Sequence, residues 1–219
     1  MTVYFISGLG ADERAFQRIR LPAGFEIRHI PWLPVKGDET IEGYARQMAA
    51  AIEPGKPFML AGLSFGGMMA TEISKFLKPE KLILFSTVKC RQELPSIYLR
   101  AGRLGLYRFL RKTRIPLSLP FLHWFFGPLD AESRRLIDSF RDQIEPGYLR
   151  WSLKQISCWQ NRDIFNPHVQ IHGERDRAFP KSLVKANYVI GKAGHLCVFS
   201  HAEEVNRILR KELSVQFSC

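Results

Sequence analysis

No apolar stretch in the chain reaches the ~18 residues needed to span a bilayer. The best candidate, Ile115 to Leu129, stops short and is broken by Pro116, Pro120, His123 and Pro128, which argues against a transmembrane anchor. A basic leader is missing as well. Met1 to Gly8 carries no cationic segment ahead of its short apolar run, so it reads as a strand rather than a signal peptide, and export is not expected. Cysteine is scarce: Cys90, Cys158, Cys197 and Cys219 lie far apart and form no C-x-x-C pair. A disulfide scaffold is excluded on that count, and only Cys197 has histidines near it, His195 and His201, which argues against a structural zinc site. Cys219 is the last residue, so the C-terminus is not a prenylation box. Reduced thiols and a cytoplasmic location follow as expectations. Internal repeats, low-complexity tracts and flexible linkers are absent too.

What is present is an ordinary globular composition, 46% hydrophobic and 24% charged over 219 residues, a length that favours one domain with a substantial core. Apolar runs at Val3–Ile6 and Phe25–Ile30 flank a segment of helical spacing from Asp12 to Arg20. Glu39–Ile52 reads as a helix, Phe58–Leu63 as a strand, Phe65–Phe76 as a helix and Lys81–Phe85 as a buried strand. This is the rhythm of a parallel α/β sheet. From Val88 to Arg162 it gives way to basic, aromatic, helical segments broken by prolines, and it resumes with strands at His168–His172 and Ala186–Ile190 and a helix at His201–Leu213. The expected organisation is a core of residues 1–87 and 163–219 with a helical cap inserted at 88–162. Ser200 followed by Glu203 has capping-box spacing, which would leave Gly191–Phe199 as a loop at the C-terminal end of the last strand.

Gly62-Leu63-Ser64-Phe65-Gly66 fits G-x-S-x-G between an apolar strand and a helix, the context in which a serine is lifted above the sheet on a strained turn. A serine hydroxyl needs a base, and His195, in the loop after the last strand, is the candidate. His29, His168 and His172 sit in or at the ends of strands and read as structural, and His123 lies in the insertion. Asp176, just past the fifth strand, is the carboxylate expected to orient His195, with Glu174 its nearest competitor and Asp163 a weaker one. Two backbone donors for a developing oxyanion are expected from the N–H groups of Phe65 and of Leu9, in the turn Ser7-Gly8-Leu9-Gly10. Gly8-Leu9-Gly10 is not a dinucleotide loop, because residue 13 is glutamate where a third glycine belongs.

These segments, with His-Gly-Glu-Arg-Asp at 172–176 and Ala-Gly-His-Leu at 193–196, resemble the α/β-hydrolase superfamily over nearly the whole chain. The resemblance implies a mainly parallel sheet of about six strands with helices on both faces and an all-helical cap. It implies a Ser64–His195–Asp176 triad working through an acyl-enzyme with no metal or organic cofactor. Two departures stand out: there is no N-terminal hairpin, and Ser7 replaces the usual turn histidine. Serine at 64 argues against haloalkane dehalogenases and soluble epoxide hydrolases, and Leu196 argues against plant-type hydroxynitrile lyases. Carboxylesterase, thioesterase, C–C hydrolase and cofactor-free perhydrolase remain, beside an acyltransferase or a ligand-sensing protein on the same scaffold.

Net charge is +11, and Arg100, Arg103, Arg108, Arg111, Lys112 and Arg114 fall in a stretch without an acid. Wound as one helix, this stretch puts Leu99, Leu106, Phe109 and Leu110 on one face and most cations on the other. A solvated face is the plain reading; the functional ones are an anionic acyl substrate or weak contact with an anionic membrane surface. No nucleic-acid recognition motif accompanies the charge. Trp124, Phe125, Trp151 and Trp159 are candidates for an apolar acyl pocket, with cap core the alternative for each.

Overall fold

A computed structural model describes residues 1–109 and 119–214. Six strands, β1 (Thr2–Ile6), β2 (Glu26–His29), β3 (Phe58–Leu63), β4 (Leu82–Phe85), β5 (His168–Gly173) and β6 (Tyr188–Ile190), form one sheet in the order β2-β1-β3-β4-β5-β6. Every neighbouring pair is parallel. Alternation along the strands feeds two cores. Val3, Phe5, Met59, Ala61, Ile83 and Phe85 face one side, where Val205, Leu209 and Leu213 of α8 (Ala202–Ser214) cover them. Tyr4, Ile6, Leu60, Leu82 and Leu84 face the other, beneath α1 (Ile41–Ala49) and α2 (Phe65–Ser74). Strands buried on both faces need no polar alternation, which is why they read as continuous apolar runs.

Between β4 and β5 the described chain is helical: α3 (Ser96–Arg103), α4 (Leu119–Phe126), α5 (Ala131–Gln143) and α6 (Pro146–Cys158). Each of the last two starts on a side-chain cap, Asp130 accepting from Ser133 N and Glu145 from the N–H groups of Gly147 and Tyr148. No helix among the described residues is long and apolar enough to cross a membrane.

Three local expectations fail. The segment after β1 makes only a short 3-10 turn, Glu13–Phe16, rather than a helix to Arg20. The basic stretch is not one helix: α3 ends at Arg103, the chain turns through Gly105 at φ +62°, and Leu106–Phe109 forms a separate 3-10 turn. Leu106 and Phe109 are consequently off the helix that carries Leu99 and are exposed, while Leu110, Arg111, Lys112 and Arg114 lie outside the described residues. Ser200 does not cap the last helix. Cys197–Ser200 winds into a short helix α7 of its own, and the Ser200 hydroxyl donates back to Leu196 O (3.1 Å).

Candidate active site

The strand order reverses between β1 and β3, and the C-terminal edge at such a switch point is where an open parallel sheet leaves a crevice. Ile6 pairs with Gly62 across that junction, so the turn after β1 and the turn after β3 emerge side by side. Ser64 follows β3 at φ 56° and ψ −123°, a backbone that L residues adopt only when their surroundings impose it. The surroundings are glycines. A Cβ on Gly62 would run into the carbonyl of Gly66 and lie 2.6 Å from Gly67 Cα, and one on Gly66 would overlap the carbonyl oxygens of Ile6 and Ser7. Strand β3, helix α2 and the end of β1 therefore meet backbone to backbone, which is what fixes the turn carrying Ser64.

His195 arrives five residues after β6 and Asp176 three residues after β5. The imidazole Nε2 is 2.8 Å from Ser64 Oγ and its Nδ1 is 2.7 Å from Asp176 Oδ2. Asp176 is 3% exposed, and its second oxygen accepts the Phe179 N–H at 2.9 Å. Glu174 is engaged elsewhere, accepting from Lys192 N. Asp163 lies ahead of β5, where its carbonyl accepts from Asn161. The neighbouring Cys197 is wholly buried against Ser86 Oγ, and burial pushes its thiol up to about 12, so it is no competing nucleophile near neutral pH.

The Phe65 N–H is the first of α2, one of the donors a helix leaves unpaired at its start. The Gly8–Leu9 turn stands beside it: a Cβ on Gly8 would lie 3.5 Å from Ser64 Cβ. Ser7, in the place of a turn histidine, donates its hydroxyl to Ala11 O (2.6 Å) and so closes this turn. Trp32, just past β2, completes the support. Its indole N–H reaches Ser7 Oγ and Gly8 O, both at 3.1 Å, and its ring stacks on Phe65 with centroids 5.3 Å apart at 7°. Sequence reasoning missed Trp32; its only signal is a tryptophan immediately beyond a strand whose C-terminal edge faces the same crevice.

Ser64 and His195 open onto a cavity of about 420 Å³ walled by apolar groups, among them Leu9, Phe125, Phe126, Ile144, Leu149 and Phe179. Of the four candidate pocket aromatics, Phe125 lines this cavity and Trp151 lines the cleft beside it. Trp151 and Trp159 are buried, their indoles donating to Glu39 O (2.8 Å) and Glu72 Oε1 (2.7 Å). Trp124 is 57% exposed beneath the Arg177 guanidinium. A second cleft of about 260 Å³ adjoins the cavity through Tyr107 and gathers Arg108, Arg150 and Lys154 around Asp38, whose carboxylate Lys154 already engages at 2.7 Å.

A second histidine stands behind the acid. His172 is fully buried, with Nε2 2.7 Å from Phe179 O and 3.4 Å from Asp176 Oδ2, while Nδ1 has no hydrogen-bond partner among the described residues. Burial holds its pKa below the usual 6.5, and the nearby Asp176 carboxylate and Phe179 carbonyl offset this only in part. A histidine kept neutral by folding contributes stability above its unfolded pKa, and that contribution is lost as pH falls below it. The loss is at most about 1.4 kcal/mol per pH unit below ~6.5, until the folded-state value is reached. Melting temperatures between pH 7.5 and 5.0 should therefore fall less steeply for His172→Gln than for the parent; parallel slopes would remove His172 from the account.

No protein-family model and no curated protein sequence matches the chain. Solved structures do. It superposes on a thermophilic esterase from Thermogutta terrifontis with a TM-score of 0.75 at 18% identity, over 98% of this chain and 89% of that one. A putative lipase from Acinetobacter baumannii AYE gives 0.73 at 17%, over 100% and 85%. The enol-lactonase from Burkholderia xenovorans LB400 gives 0.70 at 15%, over 97% and 91%. A common backbone at so low an identity, with the parallel six-stranded sheet in hand, means that the chain has the α/β-hydrolase fold.

Proposed function

We propose that the protein is a serine hydrolase that cleaves esters or thioesters of an apolar acyl group. The observation that carries this reading is the continuous hydrogen-bonded line from Ser64 Oγ through His195 to Asp176, set at the mouth of an apolar cavity. Ser64 Oγ attacks the acyl carbonyl carbon as His195 Nε2 takes the hydroxyl proton, and Asp176 stabilises the resulting imidazolium. The tetrahedral oxyanion accepts from the N–H groups of Leu9 and Phe65. Its collapse expels the alcohol or thiol, which takes the proton from His195, and leaves Ser64 acylated. Water, deprotonated by His195, then attacks the acyl-enzyme; release of the carboxylic acid restores the free hydroxyl.

The scaffold supports this reading, since an esterase, a putative lipase and a lactonase share it. Residues 88–162 are assigned to a cap, the described part of which walls the cavity, over a core of 1–87 and 163–219. The acyl group lies in the cavity, and an anionic portion of the substrate is assigned to the cleft at Arg108, Arg150 and Lys154. Cys90, Cys158 and Cys197 are free thiols, in keeping with a reducing compartment such as the cytoplasm. Fluorophosphonate labelling is the direct test. The parent protein should be modified stoichiometrically at Ser64 and Ser64→Ala should stay unmodified; equal labelling of both defeats the assignment.

A further inference from the structure

His195 is gripped from the inserted helices as well as from Asp176. Helix α4 ends at Phe126, whose carbonyl accepts the His195 N–H at 2.7 Å. The Phe126 ring stands edge-on to the imidazole, with centroids 5.1 Å apart at 75°. Backbones meet directly around this contact. Gly127 turns at φ +85°, where an added Cβ would overlap the carbonyl of Arg175, and a Cβ on Gly194 would lie 2.5 Å from Phe126 O and 3.0 Å from Pro128 O. Arg177, one residue past the acid, ties the same segment down: its guanidinium donates to Trp124 O at 2.8 Å and lies 5.0 Å from the centre of the Trp124 ring. Phe126 also lines the cavity, together with Phe121, Leu122 and Phe125 of the same helix.

From this geometry we infer that Phe126 is a positioning residue that couples filling of the acyl cavity to the alignment of His195. An acyl chain in the cavity packs against Phe126, and Phe126 holds the imidazole by its ring and the histidine backbone by its carbonyl. Apolar burial that tightened ground state and transition state equally would lower KM and leave kcat unchanged. Burial that also immobilises the base raises kcat, because small displacements of a catalytic group are costly. The inference rests on the hydrolase reading for its kinetic form, but the contact between cavity and histidine does not.

The test has two arms on the full chain. In the first, kcat and KM are measured separately for p-nitrophenyl esters from acetate to octanoate. For the parent, kcat should climb with chain length; Phe126→Ala should flatten that climb and lower kcat for octanoate by about ten- to a hundredfold. Phe126→Leu, which keeps apolar bulk, should recover KM but not kcat. In the second arm, the His195 imidazole resonances are followed by NMR as sodium octanoate is added, with a melting curve for each variant. They should respond in the parent and not in Phe126→Ala. A variant that melts with the parent yet changes KM alone, or keeps the parent's NMR response, overturns the coupling. Absence of ester turnover and of Ser64 labelling in the parent would instead remove the hydrolase reading, leaving the NMR arm to decide this one.

Discussion

Ester hydrolysis by Ser64→Ala and by His195→Ala is expected to be slower than the parent by about 10⁶ in kcat each, and the double variant no slower than either single one. The reason lies in the 2.8 Å contact between the two side chains: the hydroxyl is a nucleophile only while Nε2 can take its proton, so either loss removes the same step. Asp176→Asn should fall by about 10⁴ without any loss of apolar packing. Its carbonyl oxygen would be retained by the Phe179 N–H, which turns the new NH₂ group toward His195 Nδ1. A donor there forces the imidazole proton onto Nε2, the wrong tautomer for accepting from Ser64. The residual rate would be that of the donors proposed at Leu9 and Phe65 and of substrate binding. Single-turnover measurements check both points, and a double variant slower than either parent variant by a further hundredfold would mean that serine and histidine act independently.

The parts of the site set by local chain geometry are those that the sequence displays. Ser64 is legible because its strand, turn and helix are contiguous and the glycines that let them touch lie within three residues of it. Asp176 and His195 are legible from their places after strands, since the sheet brings its C-terminal edges together. Phe126 and Trp32 are not, because each acts on a residue far along the chain, through a carbonyl in one case and an indole N–H in the other. The places of Trp151 and Trp159 are not legible for a physical reason: a buried indole must place its N–H, and the acceptors, Glu39 O and Glu72 Oε1, lie far off in the chain. Helix ends mislead as well. Gly105 breaks the basic stretch by its positive φ, and the turn at Cys197–Ser200 takes the serine that spacing alone assigns as a cap.

Gly66→Ala is expected to cost about 3–5 kcal/mol, a large share of the 5–15 kcal/mol that holds a typical domain folded. The added methyl group would overlap the carbonyl oxygens of Ile6 and Ser7, which belong to the end of a central strand and to the turn closed by Ser7 and Trp32. Neither oxygen sits on a side chain that could rotate away, so relief requires β1 and α2 to separate. Gly191→Ala is the matched control, because nothing lies within 4 Å of a Cβ there and its φ is not in the left-handed region; it should leave the melting temperature unchanged or raise it slightly. Chemical denaturation of the pair measures the difference. The same displacement would reach the proposed oxyanion donors, since Phe65 precedes Gly66 and Leu9 lies in the turn that starts at Ser7. Whatever Gly66→Ala protein remains folded should therefore bind apolar ligands and yet hydrolyse esters poorly, the two proposed oxyanion donors having moved apart; normal turnover by the folded fraction would show that their spacing does not depend on this contact.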